Sequence, residues 1–146
     1  SVKAKSMLNT ISPNSLKSED EMVNLANFYI KEKRYEDAIS LLEKANALNP
    51  NNYAVLYNLG VCTYSVSEKQ FNKYNELAVK NTNSDEALAY KSKSEELLKE
   101  SAEYFEKARV IEPQDLNLLK TLRAIYARQQ SPKYDEIDAV IKQIEK

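Results

Sequence analysis

The side chains that ordinarily do chemistry are sparse in this chain. There is no histidine, which removes the commonest general base and metal ligand. Cys62 is the only cysteine, so neither a multi-thiolate zinc site nor an intramolecular disulfide can form within one chain. A buried thiol is its expected state, because a reactive one needs exposure and a lowered pKa. The lone glycine, Gly60, cannot build a phosphate-cradling G-x-G-x-x-G turn or a P-loop. Paired carboxylates do occur, at Asp20-Glu21, Asp85-Glu86 and Glu95-Glu96. The helix dipole accounts for acids at helix starts, and solvent accounts for those on polar faces, so no acid–base pair is expected of them. What remains is suited to contact rather than to reaction. Tyrosines such as Tyr57 and Tyr64 offer large contact area at low entropy cost. No catalytic residue, metal or cofactor is expected.

Composition points the same way. A chain of 146 residues is long enough for one domain with a sizeable core. Charged residues make up 29% and hydrophobic ones 42%, with Lys and Glu interspersed as on solvated helix faces. One Gly and four Pro are too few turn-formers for an all-β sandwich. A net charge of −1 leaves no electrostatic footprint for nucleic acid. No apolar run approaches the roughly 20 residues that span a bilayer, so no membrane insertion is expected. A single cysteine leaves the redox compartment open.

The elements that must position the tyrosines follow from spacing. Residues three or four apart share a helix face, so Met22, Leu25 and Tyr29 form one stripe and Ala38, Leu42 and Ala45 another. Folding the chain at Lys33-Arg34 brings the stripes together: Met22 faces Ala45, Leu25 faces Leu42, and Tyr29 faces Ala38. The numbers of each facing pair add to one constant, as an antiparallel hairpin requires. The alanines let the two backbones approach closely. Ser18-x-x-Glu21 is a capping box that starts the first helix, and Pro50 with Asn51-Asn52 ends the second.

The pattern then recurs in stretched form. Leu56-x2-Leu59-Gly60-x2-Thr63 echoes the first stripe, but its partner, Ser101-x3-Phe105 with Ala108 and Pro113, arrives far downstream. Between Gly60 and Pro113 the only breaker cluster is Asn81-Thr82-Asn83-Ser84. Folding there pairs Leu56 with Ala108, Leu59 with Phe105, Thr63 with Ser101, Val66 with Leu98, Tyr74 with Tyr90 and Leu77 with Ala87. One constant again serves the repeat and the insert alike, which a structureless loop would not show. The spacing therefore predicts two long helices, over about residues 54–79 and 84–111, each roughly 40 Å long. Gln70 opposite Ser94 is expected as a polar layer in this seam, with a less stable, projecting tip beyond it. A third unit opens after Asp115, a candidate N-cap. Leu119, Leu122 and Tyr126 face Ile144, Ile141 and Ile137 across a break at Ser131-Pro132, with serine as cap and proline in the first turn.

These residue types at these spacings resemble a tetratricopeptide repeat (TPR), a helix–turn–helix unit of about 34 residues. The resemblance covers about residues 19–146. The expected fold is all-α: an α-α superhelix of about two and a half to three TPR helix pairs, the second pair with unusually long helices. Repeat one is expected over 19–52, an extended repeat two over 53–115, and repeat three with a capping helix over 116–146. Residues 1–17, where Ala4, Leu8 and Ile11 could form a short stripe, read as a leader or as the remnant of a preceding repeat in a longer array. The long insert also looks like a set of bacterial TPR proteins in which one repeat is stretched.

The resemblance implies a non-catalytic protein–protein interaction scaffold that binds a peptide or protein partner on the inner face, built from each pair's first helix. Carried over by position, that face holds Val23, Asn27, Ile30 and Lys31, then Tyr57, Val61, Tyr64 and Ser65, then Lys120, Ala124, Ala127 and Arg128. Tyr57, Tyr64, Val61 and Ile30 would supply affinity, and Arg128 or Lys120 would orient an acidic group. Some TPR domains grip a C-terminal carboxylate. Asn27 and Asn58 match two of their clamp positions, but the basic positions are Val23, Asn117 and Thr121 here, so no such clamp is expected. Two alternatives stand beside this reading. One is a structural or self-association role for the long hairpin, residues 66–98. The other is a glycan or small-ligand groove lined by the tyrosines.

Overall fold

Side-chain oxygens start four of the helices. The structure, a computed structural model, describes residues 18–81 and 84–146. The expected leader at 1–17, and Thr82 and Asn83 of the central turn, lie outside the described residues. Helix α1 spans Glu19–Lys31, and the Ser18 hydroxyl accepts from the Glu21 N–H at 3.1 Å. Helix α2, Tyr35–Leu48, has no side-chain cap. Helix α3, Tyr53–Ala78, starts at Asn52, whose Oδ1 accepts from the Val55 N–H at 3.2 Å. Helix α4, Asp85–Ile111, is capped by Ser84 through the Ala87 N–H at 3.1 Å. Helix α5, Leu116–Arg128, is capped by Asp115, which accepts from the N–H groups of Asn117 and Leu118 at 2.9 and 3.3 Å. Each such cap satisfies a donor that the helix leaves open and is worth about 1 kcal/mol. Helix α6, Lys133–Ile144, has Pro132 rather than Ser131 at its cap position. The Ser131 hydroxyl still accepts from the Lys133 N–H at 3.2 Å.

The helices form three antiparallel hairpins, α1–α2, α3–α4 and α5–α6, each packed on the next. The described residues are all-α, without strands. Bonds across the hairpins define two faces. The first helices meet through Asn27 and Asn58 (α1–α3, 3.3 Å) and through Tyr53 and Asp115 (α3 to the α5 cap, 2.5 Å). On the other face, Arg109 of α4 lies 3.6 Å from Glu136 of α6. The two outer turns close identically. Lys33 and Gln130 take left-handed φ values of 59° and 51°. The following N–H reaches back to Tyr29 O and Tyr126 O, at 2.8 and 2.9 Å respectively. A side chain in that conformation costs roughly 1 kcal/mol relative to glycine.

Helices α3 and α4 are 26 and 27 residues long, against 13 for α1 and 13 for α5. Small residues, Gly60 and Ser67 on α3 and Ser94 and Ser101 on α4, bring the two backbones close along their seam. The Ser101 hydroxyl donates to Gly60 O at 2.7 Å, and the Phe105 ring packs where a Cβ on Gly60 would sit, with ring carbons 2.8 Å from that position. Further out, Ser67 donates to Ser94 O at 2.8 Å, and both serines are buried. The polar layer is therefore Ser67 with Ser94, not Gln70 with Ser94. Serine is short enough to sit between closely spaced backbones, and the longer Gln70 stays half-buried at the flank.

The core divides along α3. Val55, Leu59 and Cys62 join Leu25, Tyr29, Ala38 and Leu42 on one side. Leu56 joins Phe105, Leu119, Leu122, Ile137 and Ile141 on the other. Because α3 feeds both clusters, it is the element against which the first and last hairpins are both positioned. Cys62 is buried, as expected, and burial alone pushes its thiol up to about 12, which disfavours the nucleophilic thiolate.

Candidate functional site

The face made by the first helices carries a groove of about 520 Å³ between α3 and α5, lined by Tyr57, Tyr64, Asn117, Lys120, Thr121 and Ala124. Helical periodicity puts these residues there. Tyr57 and Tyr64 lie seven residues apart on α3, about two turns. Asn117, Lys120, Thr121 and Ala124 follow the three-four-seven spacing of one face on α5. The two tyrosines form one wall and the short side chain of Ala124 leaves room opposite.

Internal contacts hold the walls. The Tyr57 ring meets Phe105 edge-on at 5.5 Å and Tyr53 at 5.8 Å, so its inner edge is fixed by the core while the rest of the ring stays accessible. Partial burial pushes the Tyr57 hydroxyl pKa above its ordinary value, as does the nearby Asp115 charge; it stays a neutral donor and acceptor at physiological pH. Thr121 is turned back on its own helix, donating to Asn117 O at 2.8 Å.

Beyond the lining residues, two further contacts join α3 to α5 and its cap. At the N-terminal end of α3 Tyr53 donates to Asp115 at 2.5 Å. The Tyr53 hydroxyl and two backbone N–H groups hold the Asp115 carboxyl below its usual range. At the C-terminal end of α5 Arg128 forms an ion pair with Glu68 and lies over the rings of Phe71, at 5.3 Å, and Tyr64, at 5.9 Å. Lys120 is also engaged, with Glu145 of α6 at 3.1 Å.

The expected site residues do not all converge on one surface. Tyr57, Tyr64, Lys120 and Ala124 line one groove together. Val23, Ile30 and Val61 are half-buried against the two core clusters. Asn27 is exposed on α1 and accepts from the Asn58 amide at 3.3 Å, and Lys31, also on α1, is exposed. On α5 Ala127 is exposed, while Arg128, expected to orient a partner's acid, and Lys120 both already hold carboxylates of this chain. Sequence reasoning missed Glu68. Continuing the α3 stripe four residues past Tyr64 would have reached it.

Other concavities exist. One of about 550 Å³ lies between the end of α4 and α6, beside Arg109, Pro113, Val140 and Ile144. One of about 300 Å³ lies beside Asn46, Leu56 and Val110. Neither joins two first helices. Among the described residues no group of three or more His, Cys, Asp or Glu side chains could hold a metal ion. No described helix is long and apolar enough to cross a membrane.

Comparison with known proteins finds a family model that matches part of the chain. Residues 29–65, from the end of α1 through α2 into α3, match the family model described as tetratricopeptide repeat. No curated protein matches the chain. Among solved structures, one titled MamA MSR-1 C2 is 17% identical over 96% of this chain and 82% of its own, with a TM-score of 0.39. It is too distant for its properties to be carried across.

Proposed function

We propose, from the match of residues 29–65 to the tetratricopeptide repeat model, that this protein is a non-catalytic scaffold binding a peptide or a protein segment along its first-helix face. The observation that carries the reading is the α3–α5 groove, in which Tyr57 and Tyr64 stand accessible opposite Ala124. Aromatic rings held by the core and exposed on one edge are the usual anchors of a binding surface. The test is selection of heptapeptides from a random display library on the immobilised chain, followed by titration of the recovered peptides against Tyr57→Ala and Tyr64→Ala. Loss of binding in variants that keep the wild-type circular dichroism supports the groove. Equal binding by wild type and both variants removes it.

A second reading, self-association through the long hairpin, has one observation in its favour. Val79 and Leu88 near the hairpin tip are exposed large apolar residues. Sedimentation of the wild type against Val79→Ser with Leu88→Ser distinguishes it: a concentration-dependent mass lost in the variant supports tip-mediated association.

A further inference from the structure

The long helix α3 does more than extend the second hairpin. Glu68 and Phe71 lie at the sixteenth and nineteenth positions of α3, counting from Tyr53, beyond the 13-residue length of α1 and of α5. Those two residues, with Tyr64, hold Arg128. The inserted length thus supplies the carboxylate that pairs with Arg128, the cation beside Tyr64 of the groove. Lys120, the cation lining the groove, is neutralised by Glu145. Near the N-terminal end of α3 the Asp115 carboxylate is consumed by Tyr53 and by the start of α5. The other polar groups lining the groove are uncharged: the tyrosine hydroxyls and the Asn117 amide, with the Thr121 hydroxyl turned back on its own helix.

We infer that the groove takes an uncharged, apolar or aromatic peptide segment in extended form, and that Glu68 sets this preference by excluding acidic residues. The inference rests on the peptide-binding reading above and names the partner's chemistry within it. The dimensions agree. Two helical turns between Tyr57 and Tyr64 are about 10 Å, the length of about three extended residues. An acidic side chain arriving at Arg128 meets a guanidinium already paired, with the Glu68 charge beside it. Coulomb attraction to the cation is then largely cancelled by repulsion from the anion. Aromatic and aliphatic side chains meet the tyrosine faces without that cost.

The experiment pans one random heptapeptide library, at low and at physiological salt, on the full chain and on its Glu68→Gln and Glu68→Gln/Arg128→Gln variants. Glu68→Gln keeps size and hydrogen-bonding capacity, and circular dichroism checks each fold. The wild-type pool is expected to be neutral and rich in aromatic and aliphatic residues. The Glu68→Gln pool should gain acidic residues by about fivefold, the scale of a partly exposed ion pair, with the gain shrinking as salt rises. The double variant should return to the neutral pool. A wild-type pool already rich in Asp and Glu overturns the inference, as does a Glu68→Gln pool as neutral as wild type. Failure of the groove reading itself looks different: pools whose binding is untouched by Tyr57→Ala and Tyr64→Ala, whatever their charge.

Discussion

Gly60→Ala is the sharpest structural test, because two opposing effects of known size meet there. Gly60 lies inside α3, where replacing glycine by alanine ordinarily stabilises a helix by about 1 kcal/mol. Here the added Cβ would meet three carbons of the Phe105 ring at 2.8–2.9 Å. That ring is fully buried, with Tyr57 against it and Gly60 O fixed by the Ser101 hydroxyl, so it has little room to move. Overpacking of this kind costs roughly 1–3 kcal/mol. Subtracting the propensity gain leaves a net loss centred near 1 kcal/mol. The assay is urea unfolding followed by circular dichroism, for wild type, Gly60→Ala, Phe105→Leu and the double variant. Gly60→Ala should lower the midpoint. The double variant should be more stable than the two single losses predict by about 1–2 kcal/mol, because the smaller side chain at 105 removes the clash. A Gly60→Ala protein stabilised by the full helix-propensity gain, with no coupling to position 105, would refute the close packing of α3 on α4.

Three further outcomes follow from the same structure. Cys62, buried and with its thiol pushed up to about 12, should react with a thiol reagent at neutral pH only as fast as the protein opens; the labelling rate should rise with urea in step with unfolding. Asp115 is held below its usual carboxyl range by Tyr53, so its charge stabilises the fold fully above the unfolded pKa of about 3.9 and loses that contribution as pH falls through the lowered folded value. The stability gap between wild type and Asp115→Asn, read from thermal melts, should therefore be greatest near neutrality and close below about pH 4. Gln130→Gly should raise stability by roughly 0.5 kcal/mol in urea titrations, since residue 130 has φ of 51° and glycine carries no Cβ penalty there.

The architecture was largely legible because long helices leave few alternatives. Expected spans of 54–79 and 84–111 stand against observed spans of 53–78 and 85–111, since between Gly60 and Pro113 the only breaker cluster lies around residue 82. What the spacing misjudged was fine register and chemistry at helix ends. Constant-sum pairing put Gln70 against Ser94, where the shorter Ser67 fits the close seam. Asn52 was read as part of a stop and is instead the cap of α3. The left-handed turns at Lys33 and Gln130 carry no glycine to announce them. At the groove, Tyr57, Tyr64, Lys120 and Ala124 are carried over by position from the resemblance to a tetratricopeptide repeat, and the structure brings these four together. The Glu68–Arg128 pair was not legible, because it joins helices of different hairpins and depends on how those hairpins stack.

The most direct measurement asks where a bound segment lies. Cys62 is buried, so a thiol introduced at exposed Ala124 in the groove, or at exposed Ala139 beside the outer concavity, reports on its own surroundings. A heptapeptide selected on the wild-type chain is added at saturating concentration, and the alkylation rate of each variant is compared with and without it. The peptide is expected to slow alkylation of Ala124→Cys and to leave Ala139→Cys unchanged. Protection at Ala139→Cys with none at Ala124→Cys would place the partner elsewhere and contradict it.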